Sequence, residues 1–120
     1  MNVRIIDLGE KKLAEIVSSE IIIKNIQDAL DLMTNSPSDY IVLHDYNFEK
    51  NFFDLSTRIA GEILQKFTNY FVKIAIIGDF SKYSSKALKD FIYESNKNKN
   101  YLFVNSMEEV KKIWGDKIYL

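Results

Sequence analysis

Asp45, Asp54 and Asp79, with Ser56 and the single histidine His44, are the side chains here whose types and spacing bear chemistry. Each aspartate lies at or just beyond an apolar run. Three carboxylates brought to one sheet edge would bind Mg²⁺ or work as an acid–base pair. Their spacing matches no calcium-loop pattern, and Asp45 and Asp79 serve equally as turn residues and Asp54 as a helix cap, the reading we favour. Ser56 reads first as a helix-capping hydroxyl. Its alternative is a phosphosite, where a phosphate would bring about −1.5 to −2 charges to the start of a helix, with Arg58 close enough to pair. His44 ends an apolar strand. With no cysteine in the chain and no nucleophile elbow, it is expected to be a half-buried, satisfied side chain rather than a base or a zinc ligand. Gly61 and Gly78 belong to no phosphate-cradling loop.

Composition narrows the classes further. The chain has 120 residues, 47% hydrophobic and 28% charged, which suits one independently folding soluble domain over 1–120. A formal net charge of −1 supplies no global pull toward nucleic acid or an anionic membrane. Lys82, Lys86, Lys89, Lys97 and Lys99 are interleaved with Asp90 and Glu94 and read as a solvated helix face. The absence of cysteine excludes a disulfide scaffold and thiolate chemistry and is compatible with the cytoplasm. The start, MNVRIIDLGEKK, has no apolar core of a secretory signal, and no run reaches the roughly 20 apolar residues of a membrane span.

The elements that must position these residues centre on the stretch from Phe52 to Phe80. Leu55, Ile59, Ile63 and Phe67 recur every fourth residue, widened by Ala60 and Leu64, which predicts an amphipathic helix opened by Asp54 and Ser56. Phe71 to Ile77 is apolar except for Lys73, as a parallel strand covered on both faces requires, and Gly78-Asp79 stops it. Upstream, Val3–Leu8 and Lys12–Ser18 predict a hairpin turning at Gly9, with Leu13 and Ile16 inward. Ile21–Ile23 is a third strand or an extended lead-in. Asn25 caps a helix carried by Ile26, Ala29, Leu30 and Met33 and ended by Asn35-Ser36-Pro37. Tyr40–His44 is a strand. Asp45 to Phe53 reads as a loop pinned by Phe48, Phe52 and Phe53. Downstream, Ser84 or Ser85 caps a helix with Ala87, Leu88, Phe91 and Ile92 inward, and Asn96 to Asn100 is a polar loop. A strand at Tyr101–Val104 and a helix opened by a Ser106–Glu109 capping box, with Met107, Val110, Ile113 and Trp114 inward, complete the chain. The order β-β-α-β-α-β-α-β-α implies an α/β fold with one mixed, mainly parallel sheet of about 4–5 strands. Ligands in such sheets gather at the carboxyl ends of the strands.

The segments FFDLSTRIAGEILQKFTNY, VKIAIIGDFSKY and SKALKDFIYESN resemble the bacterial family called domain of unknown function 4180 over nearly the whole chain. That resemblance implies no activity. The chain is also similar to STAS domains, the module of anti-sigma factor antagonists and sulfate transporters. There an Asp-Ser-Ser-Gly motif follows a strand and opens a helix. Tyr40–Leu43 takes the place of that strand, Phe53 to Thr57 that of the motif region, and Val72–Ile77 that of the next strand. Asp54 and Ser56 fall on the motif's aspartate and second serine, the phosphoacceptor, while Leu55 and Thr57 depart from it. The resemblance implies a STAS-like architecture and a regulatory, protein-binding role. Asp45, Phe48, Asp54, Ser56, Thr57, Arg58 and Asp79 are then the expected binding residues, with no catalytic residue, metal or cofactor. The expected partner is a protein rather than nucleic acid or membrane, with self-association through the aromatic loop as a further expectation. The alternative is a small-ligand binder or minor hydrolase using Asp45, Asp54 and Asp79.

Overall fold

A computed structural model describes residues 2–99 and 101–115. Its core is one sheet in the order β1-β2-β3-β4-β5, formed by β1 (Val3–Asp7), β2 (Lys12–Ile16), β3 (Tyr40–His44), β4 (Lys73–Ile77) and β5 (Tyr101–Val104). The β1–β2 pair is antiparallel and the other neighbours are parallel, giving the mixed α/β sheet expected. Helices α1 (Ile26–Asn35), α2 (Ile59–Asn69), α3 (Lys86–Asn98) and α4 (Met107–Gly115) complete the predicted order.

Strand periodicity explains the layers. Ile41 and Leu43, Ile74 and Ile76, and Phe103 point to one face, where Ala29 and Leu32 of α1, Ile63 and Phe67 of α2 and Leu88 of α3 bury them. Val42, Ala75, Leu102 and Val104 point to the other, against Val110 and Trp114 of α4. Each parallel crossover steps to the next strand in the same direction, so crossovers of one hand place α1, α2 and α3 on one side. Among the described residues no helix is long and apolar enough to cross a membrane.

The caps follow the sequence. Asn25 accepts from Asp28 N–H, Ser85 from Leu88 N–H and Ser106 from Glu109 N–H. Gly9, at φ 91, turns the hairpin.

Several boundaries differ from the sequence expectation. The organising helix begins at Ile59, because Arg58 sits in the left-handed region at φ 65 and breaks the spiral after a separate 3₁₀ turn, Leu55–Thr57. Phe71 is not in a strand: it is a turn residue at φ 60, 88% exposed, and β4 starts at Lys73. Ile21–Ile23 contributes only one bridge, Ile23 to Phe48. Ala87 is exposed and Leu32 is buried, while Ile26, Ala29, Met33, Leu88, Phe91 and Ile92 pack on the core as expected. Asn96 to Asn98 continue α3 instead of forming a loop, and Asn100 lies outside the described residues. The reason at Asn96 is tertiary. Its amide donates to Phe103 O at 3.1 Å and accepts from Phe103 N–H at 2.7 Å, covering the free edge of β5.

Candidate functional site

The carboxyl ends of β3 and β4 end on different residue types, and this difference creates the site. β3 runs into a 3₁₀ turn, Asp45–Asn47, and a second follows at Lys50–Phe53. Asn47 is 0% exposed and holds this corner. Its Oδ1 accepts from His44 N–H at 2.9 Å, and its Nδ2 donates to Ser18 O at 2.9 Å and Glu20 O at 2.8 Å. Its backbone carbonyl accepts from Ile22 and Ile23 N–H. The segment after β2 is thereby stapled across the end of β3, and it walls one side of a crevice.

Beside it, β4 ends at Gly78. A Cβ placed on Gly78 would lie 2.6 Å from Asp45 Cγ, so only glycine lets the aspartate fold over the strand end. Asp45 Oδ2 there accepts from Lys82 Nζ at 3.0 Å. That hydrogen bond, with the aspartate's charge, holds the Lys82 ammonium pKa above its usual value. Lys82 Nζ also lies 5.4 Å from the centroid of the Tyr83 ring, whose phenol pKa is pushed up by burial. Tyr83 stacks on Phe53 at 5.2 Å between ring centroids.

These residues frame a crevice of about 460 Å³. Ile21, Tyr46, Phe48, Phe53 and Tyr83 form its apolar walls, and Asp45, Lys50 and Lys82 supply its charges. The volume falls in the range of small-molecule sites, roughly 300–1,000 Å³. The strand order does not reverse at this point, so the opening comes from the stapled segment and the 3₁₀ turns rather than from a topological switch.

Tyr46 also lines a second crevice of about 470 Å³, with Arg4, Glu15 and His44. His44 stacks on Tyr46 at 5.0 Å and an interplanar angle of 10°. Its Nε2 lies 3.3 Å from Glu15 Oε2, and Arg4 Nη1 lies 3.3 Å from Glu15 Oε1. Glu15 is buried, and both its oxygens have partners, as a carboxylate withdrawn from water requires. His44 is thus the satisfied, half-buried side chain expected.

The three aspartates do not converge on one centre. Among the described residues no three histidine, cysteine, aspartate or glutamate side chains gather closely enough to hold a metal ion. Asp54 and Asp79 instead close two copies of one local device. Asp54 Oδ1 accepts from Ser56 N–H at 3.1 Å and from Ser56 Oγ at 2.6 Å. Asp79 Oδ1 accepts in the same way from Ser81 N–H and Ser81 Oγ. In each case the serine hydroxyl is the larger cause, and its N–H the next, of a carboxyl pKa held below the usual range. Thr57 Oγ1 donates to Asn51 O and Asp54 O, closing the same turn. Ser56 and Arg58 are exposed, while Phe48 is 3% exposed although it lines the crevice. Ser56 therefore does not open α2, and a phosphate on it would not sit on that helix's first turn.

A depressed folded pKa stabilises the fold above the unfolded value, about 3.9, and that contribution is lost as pH falls through the folded value. Ser56→Ala should thus move the Asp54 carboxyl titration midpoint upward, in a ¹³C NMR titration, while leaving Asp79 in place. An unmoved Asp54 midpoint would contradict the hydrogen-bond assignment.

Of the residues the sequence singles out, Asp45, Phe48 and the loop aromatic Tyr46 line the first crevice, whereas the sequence does not group them with Glu15, Asn47, Lys82 or Tyr83. One signal was present: Glu15 is a charge inside an otherwise apolar run, Leu13 to Ile16, where an unpaired carboxylate would be costly.

The family described as Domain of unknown function (DUF4180) matches residues 8–113, from just after β1 to within α4, and so includes Glu15, Asn47, Asp45, Gly78 and Lys82. No curated protein and no solved structure matches the chain significantly. On a match across most of its length, the chain belongs to the DUF4180 family.

Proposed function

We propose that this chain is a small cytoplasmic binding module of STAS-like architecture, non-catalytic, whose receptor site is the crevice at the ends of β3 and β4. The observation that carries this is the crevice itself: aromatic walls of Tyr46, Phe53 and Tyr83 around a fixed Asp45–Lys82 pair. Binding is favoured over hydrolysis because the polar groups are already engaged. Asp45 holds Lys82, Glu15 holds His44, and Asp54 and Asp79 each close their own turn. A fragment screen on ¹⁵N-labelled protein tests this. Shift changes centred on Tyr46, Phe48 and Tyr83 are expected. A screen whose hits leave those residues unmoved would refute the site.

A second reading keeps Asp54 to Arg58 as a surface for a protein partner, with Ser56 as a phosphosite. Its support is the exposure of the Ser56 hydroxyl on a turn set apart from α2 by Arg58. An added phosphate in intact-mass spectra of protein from its native cells, lost in Ser56→Ala, is the expected result. Spectra without it would remove the switch. Phe48, Phe52 and Phe53 are buried, so self-association through that loop would rest on Tyr46.

A further inference from the structure

We infer that the crevice selects a small planar organic acid, an aromatic ring carrying one carboxylate. This rests on the crevice being a receptor site and names the chemistry of its occupant. The ring is specified by the walls. Tyr46 is 51% exposed and lines the crevice together with Tyr83 and Phe53, which are themselves stacked, so a flat apolar body has aromatic surface to cover on entering.

The charge is specified by what remains unmatched. Lys82 is neutralised by Asp45 at 3.0 Å. Lys50 also lines the crevice, is exposed, and makes no ion pair among the described residues. Two ammonium groups against one carboxylate leave one positive charge beside an apolar cavity. A carboxylate on the occupant pairs with Lys50, whereas an ammonium group would be repelled by it. The Asp45–Lys82 pair stays in place, with Asp45 offering its remaining acceptor capacity to a ring hydroxyl.

The discriminating experiment uses three compounds that share one ring: 4-hydroxyphenylacetate, its neutral amide and the corresponding amine, tyramine. Each is titrated into the full chain and followed by NMR. The acid should bind about threefold to fivefold more tightly than the amide, the range of one exposed ion pair, and tyramine more weakly than either. Raising the salt should narrow the gap. Lys50→Glu should invert the order, and Tyr46→Ala should weaken all three about tenfold through loss of the ring contact. Equal binding of the three compounds, or an order unchanged in Lys50→Glu, would overturn the acid preference while the crevice remained a receptor. If none of the three binds although other fragments fill the crevice, the class of ligand is overturned. If no compound of any kind moves Tyr46 and Tyr83, the receptor site falls with it.

Discussion

Asn47→Ala is expected to lower the unfolding free energy by about 3 kcal/mol, from three lost side-chain hydrogen bonds at about 1 kcal/mol each. Those bonds join pieces far apart in sequence: His44 at the end of β3, and Ser18 and Glu20 beyond β2. Asn47 is fully buried, so water does not simply replace the amide. The loss should be larger than for a surface asparagine such as Asn69, and equilibrium urea unfolding measures it. The crevice wall should loosen at Ser18 and Glu20 but stay anchored next to Ile21, because the Ile22 and Ile23 N–H groups donate to the Asn47 backbone carbonyl, which alanine keeps. Wild-type stability in Asn47→Ala would mean that the 18–23 segment is secured by its backbone bonds and apolar contacts without the amide.

Gly78→Ala should cost about 2 kcal/mol, as overpacking at a filled position does. The added methyl would meet Asp45 Cγ at 2.6 Å and Asp45 Cβ at 2.7 Å. Rotating the aspartate relieves the first contact only. The second involves an atom fixed to the backbone, so the Asp45–Asn47 turn must move away from β4. The Asp45–Lys82 hydrogen bond should then break, and the Lys82 ammonium midpoint should fall back toward its ordinary value. Asp45→Ala alone would lose the ion pair without the clash, and with Lys82 half in solvent it should cost less than the glycine variant. The larger effect of the glycine variant is the diagnostic result. Equal effects would mean that the turn and the strand end yield independently.

The sheet was largely legible because burial on both faces leaves a plain trace. Ile41-Val42-Leu43 and Ile74-Ala75-Ile76 have no polar interruption, and the structure sends alternate members to opposite helical layers. Helix caps were legible because they act within a few residues. Arg58 was not. The apolar stripe runs through it from Leu55 to Ile59, and nothing in the side chain announces a left-handed backbone. Phe71 misled for a similar reason: an aromatic beside an apolar run looks like strand, yet it turns outward at positive φ.

The site was less legible than the fold. Asp45, Asp54 and Asp79 read as turn and cap residues, with a shared carboxylate site as the alternative. Two of them serve hydroxyls two residues away. The partner that matters to Asp45 is Lys82, which the sequence placed in a solvated lysine run, and the glycine that admits it looked like an ordinary turn. Asn47 reads locally as a loop former, while its bonds reach residues nearly a quarter of the chain away. Contacts of that separation are fixed by the packing of β2 against β3, and no local pattern records them.

A crystal structure of the chain grown with 4-hydroxyphenylacetate bears most directly on the binding function. The ring should lie between Tyr46 and Tyr83 with its carboxylate toward Lys50 and the Asp45–Lys82 pair undisturbed. A compound lodged beside Glu15 and His44 instead, or a crevice closed by Tyr46 with the ligand absent, would contradict the account.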